Sequence, residues 1–474
     1  MSPRSPRRAR IALVAAAAAA LAISLVGAPT ASATAAPNVT CTSSTLGAVQ
    51  SRILTETNAA RRSAGAAPLA ANAGLHVVAV DWSVQMAAAR TMSHNPNYST
   101  QIPPGWRAAG ENVAYGYAPA SVTRAWLDSP GHRANILNRA YTHIGIGVAC
   151  SSAGQPYYTQ VFGGYTTTPT PSIPRYAGDS RYSTAAAVSK ATFPVGVPVA
   201  YIADGRNFPD ALAGAAAAGS LGGPVLLASP SGLSAAVKTE LTRLKPRQIV
   251  VLGGEIAVSE AIVADARNYT TGAVVRVEGA NRYSTAAAVS ARTFAPGVSA
   301  VYLASGTDFP DALSGAAAAG KVNAPVLLTT PGSLPDATRQ ELARLKPQRI
   351  IVLGGTVAVS DAVLNQARSF TTGGVSRVSG ANRYETSAAV SKGAYSPGVS
   401  VVYLASASAF PDALAGAASA GSLGAPVLLT SPDDLPAVIA AELDRLNPKK
   451  IVVLGGAVAV SDEVLFRAQK YLVG

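Results

Sequence analysis

The stretch PVAYIADGRNFPDALAGAAAAGSLGGPVLLA, residues 198–228, decides the fold of most of this chain. Val199–Ala203 is rich in β-formers, Pro209 and Asp210 open an Ala-rich segment that runs to Gly219, and Pro224–Leu227 is a short apolar run. Proline fits the first helical position and an acid fits the first turn, so the middle segment reads as a helix between two strands. Working outward, Leu233–Leu244 has helical spacing, Gln248–Leu252 is an apolar strand, Gly253-Gly254 turns the chain, and Ser259-Glu260 starts another helix. Val274–Val277 is a further strand, followed by a helix from Tyr283. Strands that are apolar along their length and alternate with helices predict an α/β fold, with a parallel sheet covered on both faces.

The pattern recurs at an offset of 101 residues. Arg181-Tyr182, Arg282-Tyr283 and Arg383-Tyr384 share that offset, as do Phe208-Pro209-Asp210, Phe309-Pro310-Asp311 and Phe410-Pro411-Asp412. So do Val251-Leu252-Gly253-Gly254, Val352-Leu353-Gly354-Gly355 and Val453-Leu454-Gly455-Gly456. Solenoid repeats have periods of roughly 20–50 residues, so this period predicts three domain-sized modules, spanning 172–272, 273–373 and 374–474. Asp210, Asp311 and Asp412 read as helix-capping residues behind the proline. The Gly-Gly turns lack the lysine of a phosphate-binding loop, which argues against a nucleotide site. Arg181, Arg282 and Arg383 recur beside a helix start, where backbone N–H groups favour anions; they read either as anion contacts or as salt-bridge partners.

The 474 residues are 49% hydrophobic, 6% aromatic and 13% charged, which excludes general disorder. With 43 Gly and 2 Cys, a collagen-like or disulfide-dense chain is excluded as well. A mean hydropathy of +0.24 raises the question of a membrane span. The uncharged stretch Ala211–Val237 is interrupted by Gly214, Gly219, Gly222, Gly223, Pro224, Pro230 and Gly232, so it does not read as the about 20 continuous apolar residues a span needs. Residues 1–33 read as a secretory signal peptide: Arg4, Arg7, Arg8 and Arg10, an apolar run Ile11–Gly27, then Ala31-Ser32-Ala33. An uncleaved anchor is the competing reading. Removing four Arg and no acid lowers the net charge from +13 to +9. The basic residues are spread singly, which argues against nucleic acid and leaves anionic polymers outside the cell as compatible partners.

After a lead-in at 34–40, residues 41–165 differ in composition and hold all 3 Trp and all 4 His. Ser44–Arg62 and Asn72–Thr91 look helical, Ile144–Ala149 and Tyr157–Phe162 look like strands, and the domain reads as α+β. Cys41 and Cys150 bracket it, and an even count in an exported chain predicts one disulfide. Residues 166–171 read as an extended, exposed Thr/Pro linker. Four polar clusters stand out: Ser93-His94, Gly110-Glu111-Asn112, the run from Trp126 to Asn135, and Tyr158–Gly163. Each is expected at an element boundary, where binding groups gather. Two His and a carboxylate could hold a metal or act as an acid–base pair, but separate capping and loop roles are the plainer reading of their spacing.

These clusters carry a family resemblance. SPGHRANILN followed by IGIGV, the GENVAYGY block and the closing YTQVFG resemble the bacterial form of the CAP superfamily (cysteine-rich secretory, antigen 5 and pathogenesis-related proteins) over about 41–165. The resemblance implies an α–β–α sandwich with a cleft lined by two His and two acids. By motif position His94 and His132 match the two His, and Glu111 matches the Glu of the GEN block. The other family acid falls on Ser129 here, with Asp128 adjacent as a substitute. The resemblance implies lipid, metal or partner binding, or proteolysis, with a divalent metal such as zinc between His94 and His132 as an optional cofactor.

The three modules resemble the clostridial-type cell-wall-binding repeat through R-Y-x-T-A/S-A-A-V-S, F-P-D-A-L, P-V-L-L and V-L-G-G, over 172–474. That resemblance implies flavodoxin-like or Toprim-like α/β units packed as a pseudo-trimer within a monomer. It implies non-covalent attachment of an exported protein to anionic polymer of a Gram-positive wall. It also places Pro224–Leu227, Pro325–Leu328 and Pro426–Leu429, with Leu226, Leu327 and Leu428, near the polymer contact, although the same segments read simply as core strands. Three weak sites on one chain gain affinity through effective concentration.

Overall fold

The computed structural model describes residues 43–207, 209–408 and 410–472. The signal peptide expected at 1–33 and Cys41 lie outside the described residues. Among the described residues no helix is long and apolar enough to cross a membrane.

The N-terminal domain runs α1 (Ser43–Ser63), β1 (Ala70–Ala71), α2 (Ala73–Ala89), α3 (Tyr98–Gln101), β2 (Ala108–Tyr115), α4 (Val122–Asp128), α5 (Pro130–Leu137), β3 (His143–Cys150) and β4 (Pro156–Gly164). Its sheet has the order β1-β3-β4-β2, with β1 parallel to β3 and the other pairs antiparallel. The IGIGV motif on β3 explains the layering. Side chains alternate between faces. Ile144, Ile146 and Val148 join Val49 and Ile53 of α1 and Trp126 and Ile136 of α4 and α5 in one core. Gly145 and Gly147 face the other way, where a Cβ would overlap the backbone of Leu75 and Ala79 in α2. The α2 helix therefore rests backbone to backbone on the sheet. Its start is fixed by Asn72, whose side chain accepts the N–H of Leu75. The result is the α–β–α sandwich.

The Thr/Pro segment is mostly exposed but tied down. Asn72 Nδ2 donates to the Pro169 carbonyl at 3.1 Å, and His143 Nε2 lies 3.3 Å from Thr168 Oγ1. Beyond it, Asp81 on α2 pairs with Arg467 near the chain's end.

The first module contains β5 (Arg175–Tyr176), α6 (Arg181–Thr192), β6 (Ala200–Asp204), α7 (Pro209–Ser220), β7 (Val225–Ala228), α8 (Ala235–Leu244), β8 (Ile249–Leu252) and α9 (Glu260–Ala266). The second contains β9 (Val274–Val277), α10 (Arg282–Thr293), β10 (Val301–Ser305), α11 (Pro310–Lys321), β11 (Val326–Thr329), α12 (Asp336–Leu345), β12 (Ile350–Leu353) and α13 (Asp361–Ala367). The third contains β13 (Val375–Val378), α14 (Arg383–Ala394), β14 (Val402–Ser406), α15 (Phe410–Leu423), β15 (Val427–Thr430), α16 (Ala437–Leu446), β16 (Ile451–Leu454) and α17 (Asp462–Ala468).

The sheets do not stop where the sequence repeats do. Their orders are β7-β6-β8-β9, β11-β10-β12-β13 and β15-β14-β16-β5, all parallel. Each repeat lends its first strand to the sheet before it. The first repeat lends β5 to the third sheet, so the modules close into a ring. An arginine fixes each loan. Arg276, Arg377 and Arg175 donate to the Gly253, Gly354 and Gly455 carbonyls and pair with Glu260, Asp361 and Asp462.

Inside the ring α7, α11 and α15 pack against one another. Gly219, Gly320 and Gly421 meet there, and a Cβ on any of them would lie 3.1–3.2 Å from a neighbouring helix backbone. All three glycines sit near the C-terminal ends of their helices, so the helices point the same way and the modules form a pseudo-trimer.

Candidate functional site

The GEN block is not at an element boundary. Glu111 and Asn112 lie in the middle of β2, opposite Val161 and Gln160 of β4. A buried polar side chain needs partners, and the sequence supplies them across elements. Asn112 Nδ2 donates to Gln160 Oε1 and to the His132 carbonyl, and Asn135 Nδ2 donates to Asn112 Oδ1 and to the Glu111 carbonyl. Gln160 Nε2 in turn donates to Thr57 Oγ1. This network locks α5, and with it His132, onto the strand that carries Glu111.

His94 and Glu111 meet. The imidazole Nδ1–H donates to Glu111 Oε1 at 2.8 Å, and the Asn95 N–H donates to the same oxygen at 2.9 Å. The Glu111 side chain is 1% exposed and that of His94 is 62% exposed. The second carboxylate oxygen, Oε2, is buried with no partner. The hydrogen bond to Glu111 favours charged His94 and holds its pKa above the ordinary imidazole value, with burial opposing. Burial pushes His132 down, and the nearby charge of His94 adds to that. The two histidines are thus shifted in opposite directions.

Asp128 does not complete the set. Its side chain is 58% exposed and pairs with Arg124 one turn earlier on α4. Among the described residues no group of three His, Cys, Asp or Glu is placed to hold a metal ion. His76, on α2, faces the third module, with Glu463, Arg467 and Asp81 nearby. His143 is 7% exposed and stacks edge-on with Tyr165.

An NMR pH titration checks the histidine pair. His94 is expected to titrate above 6.5 and His132 below it. A raised imidazole contributes stability that is fully present below 6.5 and is lost as pH rises through its raised value. Glu111→Gln should bring His94 back towards 6.5. A His94 midpoint unmoved by that substitution would show that Glu111 does not hold the ring.

In the modules the structure corrects three readings. Arg181, Arg282 and Arg383 are not open anion contacts: each donates to a carbonyl, that of Gly205, Gly306 and Ala407, at 2.6, 2.5 and 2.9 Å. Each also lies beside an acid of the preceding module: Asp412, Asp210 and Asp311 respectively. Those acids reach across the seam rather than capping their own helices. The hydroxyls of Thr285, Thr386 and Thr184 donate to Asp210, Asp311 and Asp412, and themselves accept the N–H of Gly279, Gly380 and Gly178. Burial pushes all three carboxyls up. Leu226, Leu327 and Leu428 are 0% exposed in their strands, so they form core and cannot touch a polymer.

Sequence reasoning missed one surface feature. Ile256, Val357 and Val458 follow the Gly-Gly turns and are 98%, 91% and 95% exposed. Their shared 101-residue offset was the available signal.

A sandwich domain carrying the His94–Glu111 pair, followed by a closed ring of three α/β modules, defines a modular chain of one N-terminal domain and one repeat unit. The family described as cell wall binding domain 2 matches residues 175–263, 276–364 and 377–465, more than half of the chain, and the chain belongs to that family. Ahead of the repeats, residues 54–162 form a CAP domain of the cysteine-rich secretory protein family. N-acetylmuramoyl-L-alanine amidase LytC of Bacillus subtilis is 29% identical over 303 residues, 64% of this chain and 59% of its own length. The amidase enhancer of Bacillus subtilis is 37% identical over 191 residues, 40% of this chain and 25% of its own. The chain thus spans less than two thirds of either relative. Among solved structures, Cwp8 from Clostridium difficile has a TM-score of 0.59 at 20% identity, covering 85% of this chain and 68% of its own, and shares the fold. Cwp6 from the same organism has a TM-score of 0.58 at 25% identity, covering 64% of this chain and 49% of its own.

Proposed function

We propose that this is an exported protein of a Gram-positive wall, in which the repeat ring binds anionic wall polymer without a covalent link and displays the CAP domain. The carrying observation is that three repeats of the cell-wall-binding family close into one ring; we read that ring as offering three equivalent surfaces to a single polymer. The names of LytC and the amidase enhancer, to which parts of the chain are similar, support a wall setting. The CAP domain acts as a binding module for a lipid, a metal or a partner. A Cys41–Cys150 disulfide and cleavage after residue 33 belong to this reading, and peptide mass mapping without reductant detects both.

A second reading, a wall-targeted hydrolase, rests on the His94–Glu111 pair. Glu111 fixes the tautomer of His94 by accepting from Nδ1, which leaves Nε2 able to take a proton from water. One preparation separates the two. Mature protein is mixed with purified walls before and after anionic polymer is stripped. Binding that falls on stripping, without release of soluble peptide or sugar, is the expected result. Equal binding to stripped walls would sink the polymer reading. Release of wall fragments that stops in His94→Ala would establish the hydrolase.

A further inference from the structure

The two ends of the ring carry opposite charge. Because the three central helices run the same way, the N-terminal ends of all the sheet strands lie on one side of the pseudo-trimer. The loops that lead into β8, β12 and β16 read LKPRQ, LKPQR and LNPKK. In them Lys245, Arg247, Lys346, Arg349, Lys449 and Lys450 are all exposed. The acids at this end are mostly engaged. Glu240, Glu341 and Glu442 are buried, each holding the arginine three residues on, and Lys238 holds Asp265. Asp444 is the exposed acid that remains. At the opposite end, the loops after the strands carry the exposed acids Glu255, Asp308, Asp433 and Asp434, so a polyanion meets like charge there, while the helix-starting acids Glu260, Asp336 and Asp361 are paired with Arg276, Arg339 and Arg377.

Helix dipoles explain only part of this. Lys245 and Lys346 are the left-handed caps of their helices, with φ of 45° and 46°, and a cation there offsets the negative helix end. Arg247, Arg349, Lys449 and Lys450 come after the proline, beyond the last turn, where the dipole no longer acts.

We propose that the wall-polymer contact is this basic end of the ring, and that its ligand is a linear polymer with repeating phosphate groups. The cations do not converge on a pocket. They sit in three loops, one per module, so a single phosphate meets one loop while a chain of phosphates meets all three and gains effective concentration. The inference rests on the anchoring role proposed above and assigns its face.

The test uses the full mature chain, poly(glycerol phosphate) in solution, and walls before and after stripping. Arg247→Gln/Arg349→Gln/Lys449→Gln removes three charges from the basic end. Arg52→Gln/Arg206→Gln/Arg339→Gln removes three charges elsewhere, from side chains paired with Glu56, Asp204 and Asp336. Thermal melts confirm that both variants fold. The first is expected to bind about tenfold more weakly and to lose most of its salt dependence, while the second stays within about twofold of the parent. If the parent needs the polymer but both variants behave alike, the face is wrong and the anchoring role stands. If the parent binds stripped walls as well as intact ones, the anchoring role itself falls.

Discussion

Gly147→Ala is expected to destabilise the CAP domain by about 3 kcal/mol, the upper end of the usual penalty for overpacking. The new methyl would overlap the Ala79 carbonyl and the Val80 nitrogen of α2. Those are backbone atoms, which cannot rotate away as a side-chain tip can. Relief requires lifting α2 off the sheet, and that loosens Leu75, Val78 and Ala79 from Val161 and Ile102. For a domain of this size, a loss of that order lowers the melting temperature by about 10 °C or more. Tryptophan fluorescence reads the domain selectively, because all 3 Trp of the chain lie in it. Gly131→Ala is the internal control. It sits within α5, and an added Cβ there meets nothing within 4 Å, so helix propensity should make it neutral or slightly stabilising. Equal melting of the two variants would refute the close approach of α2 to β3.

Gly421→Val should be comparably damaging, and its effect should spread through the ring. The valine Cβ would lie 3.2 Å from the Gly320 Cα and 3.4 Å from the Gly219 Cα, and its two methyls would press further into the crossing. Three helices share that point, so no single helix can yield without moving the other two. We expect a loss of about 3 kcal/mol in denaturant unfolding of the repeats. Gly393→Ala, in α14 with nothing within 4 Å of the added Cβ, should cost nothing measurable. A parent-like midpoint for Gly421→Val would mean that the three helices do not cross at these glycines.

What was legible in the sequence followed from local rules. The 101-residue offset, the proline-headed Ala-rich helices and the apolar strands placed the three modules, and the motif blocks placed the sandwich domain. What escaped depended on contacts between distant segments. Asp210, Asp311 and Asp412 sit where a helix cap belongs, and nothing local reveals that each carboxylate reaches a threonine one module on. Arg175, Arg276 and Arg377 share the repeat offset, yet their partners appear only once a strand is seen to leave its own repeat. Glu111 looked like a loop residue because its block holds Gly and Asn, whereas the pairing of β2 with β4 buries it in mid-strand. Asp128 looked like a substitute acid because adjacency in sequence was mistaken for a shared direction. On α4 it faces Arg124 instead.

The strand loan has a consequence for how such a protein is put together. Each repeat is structurally incomplete: its fourth strand and the threonine that receives its aspartate belong to a neighbour. One or two copies would leave a sheet short of a strand and a carboxyl without its hydroxyl. A fourth copy in line would have to break the bond between β5 and β16. The cassette that can be moved intact from one gene to another is therefore the triplet, and the copy number is set by the geometry of closure.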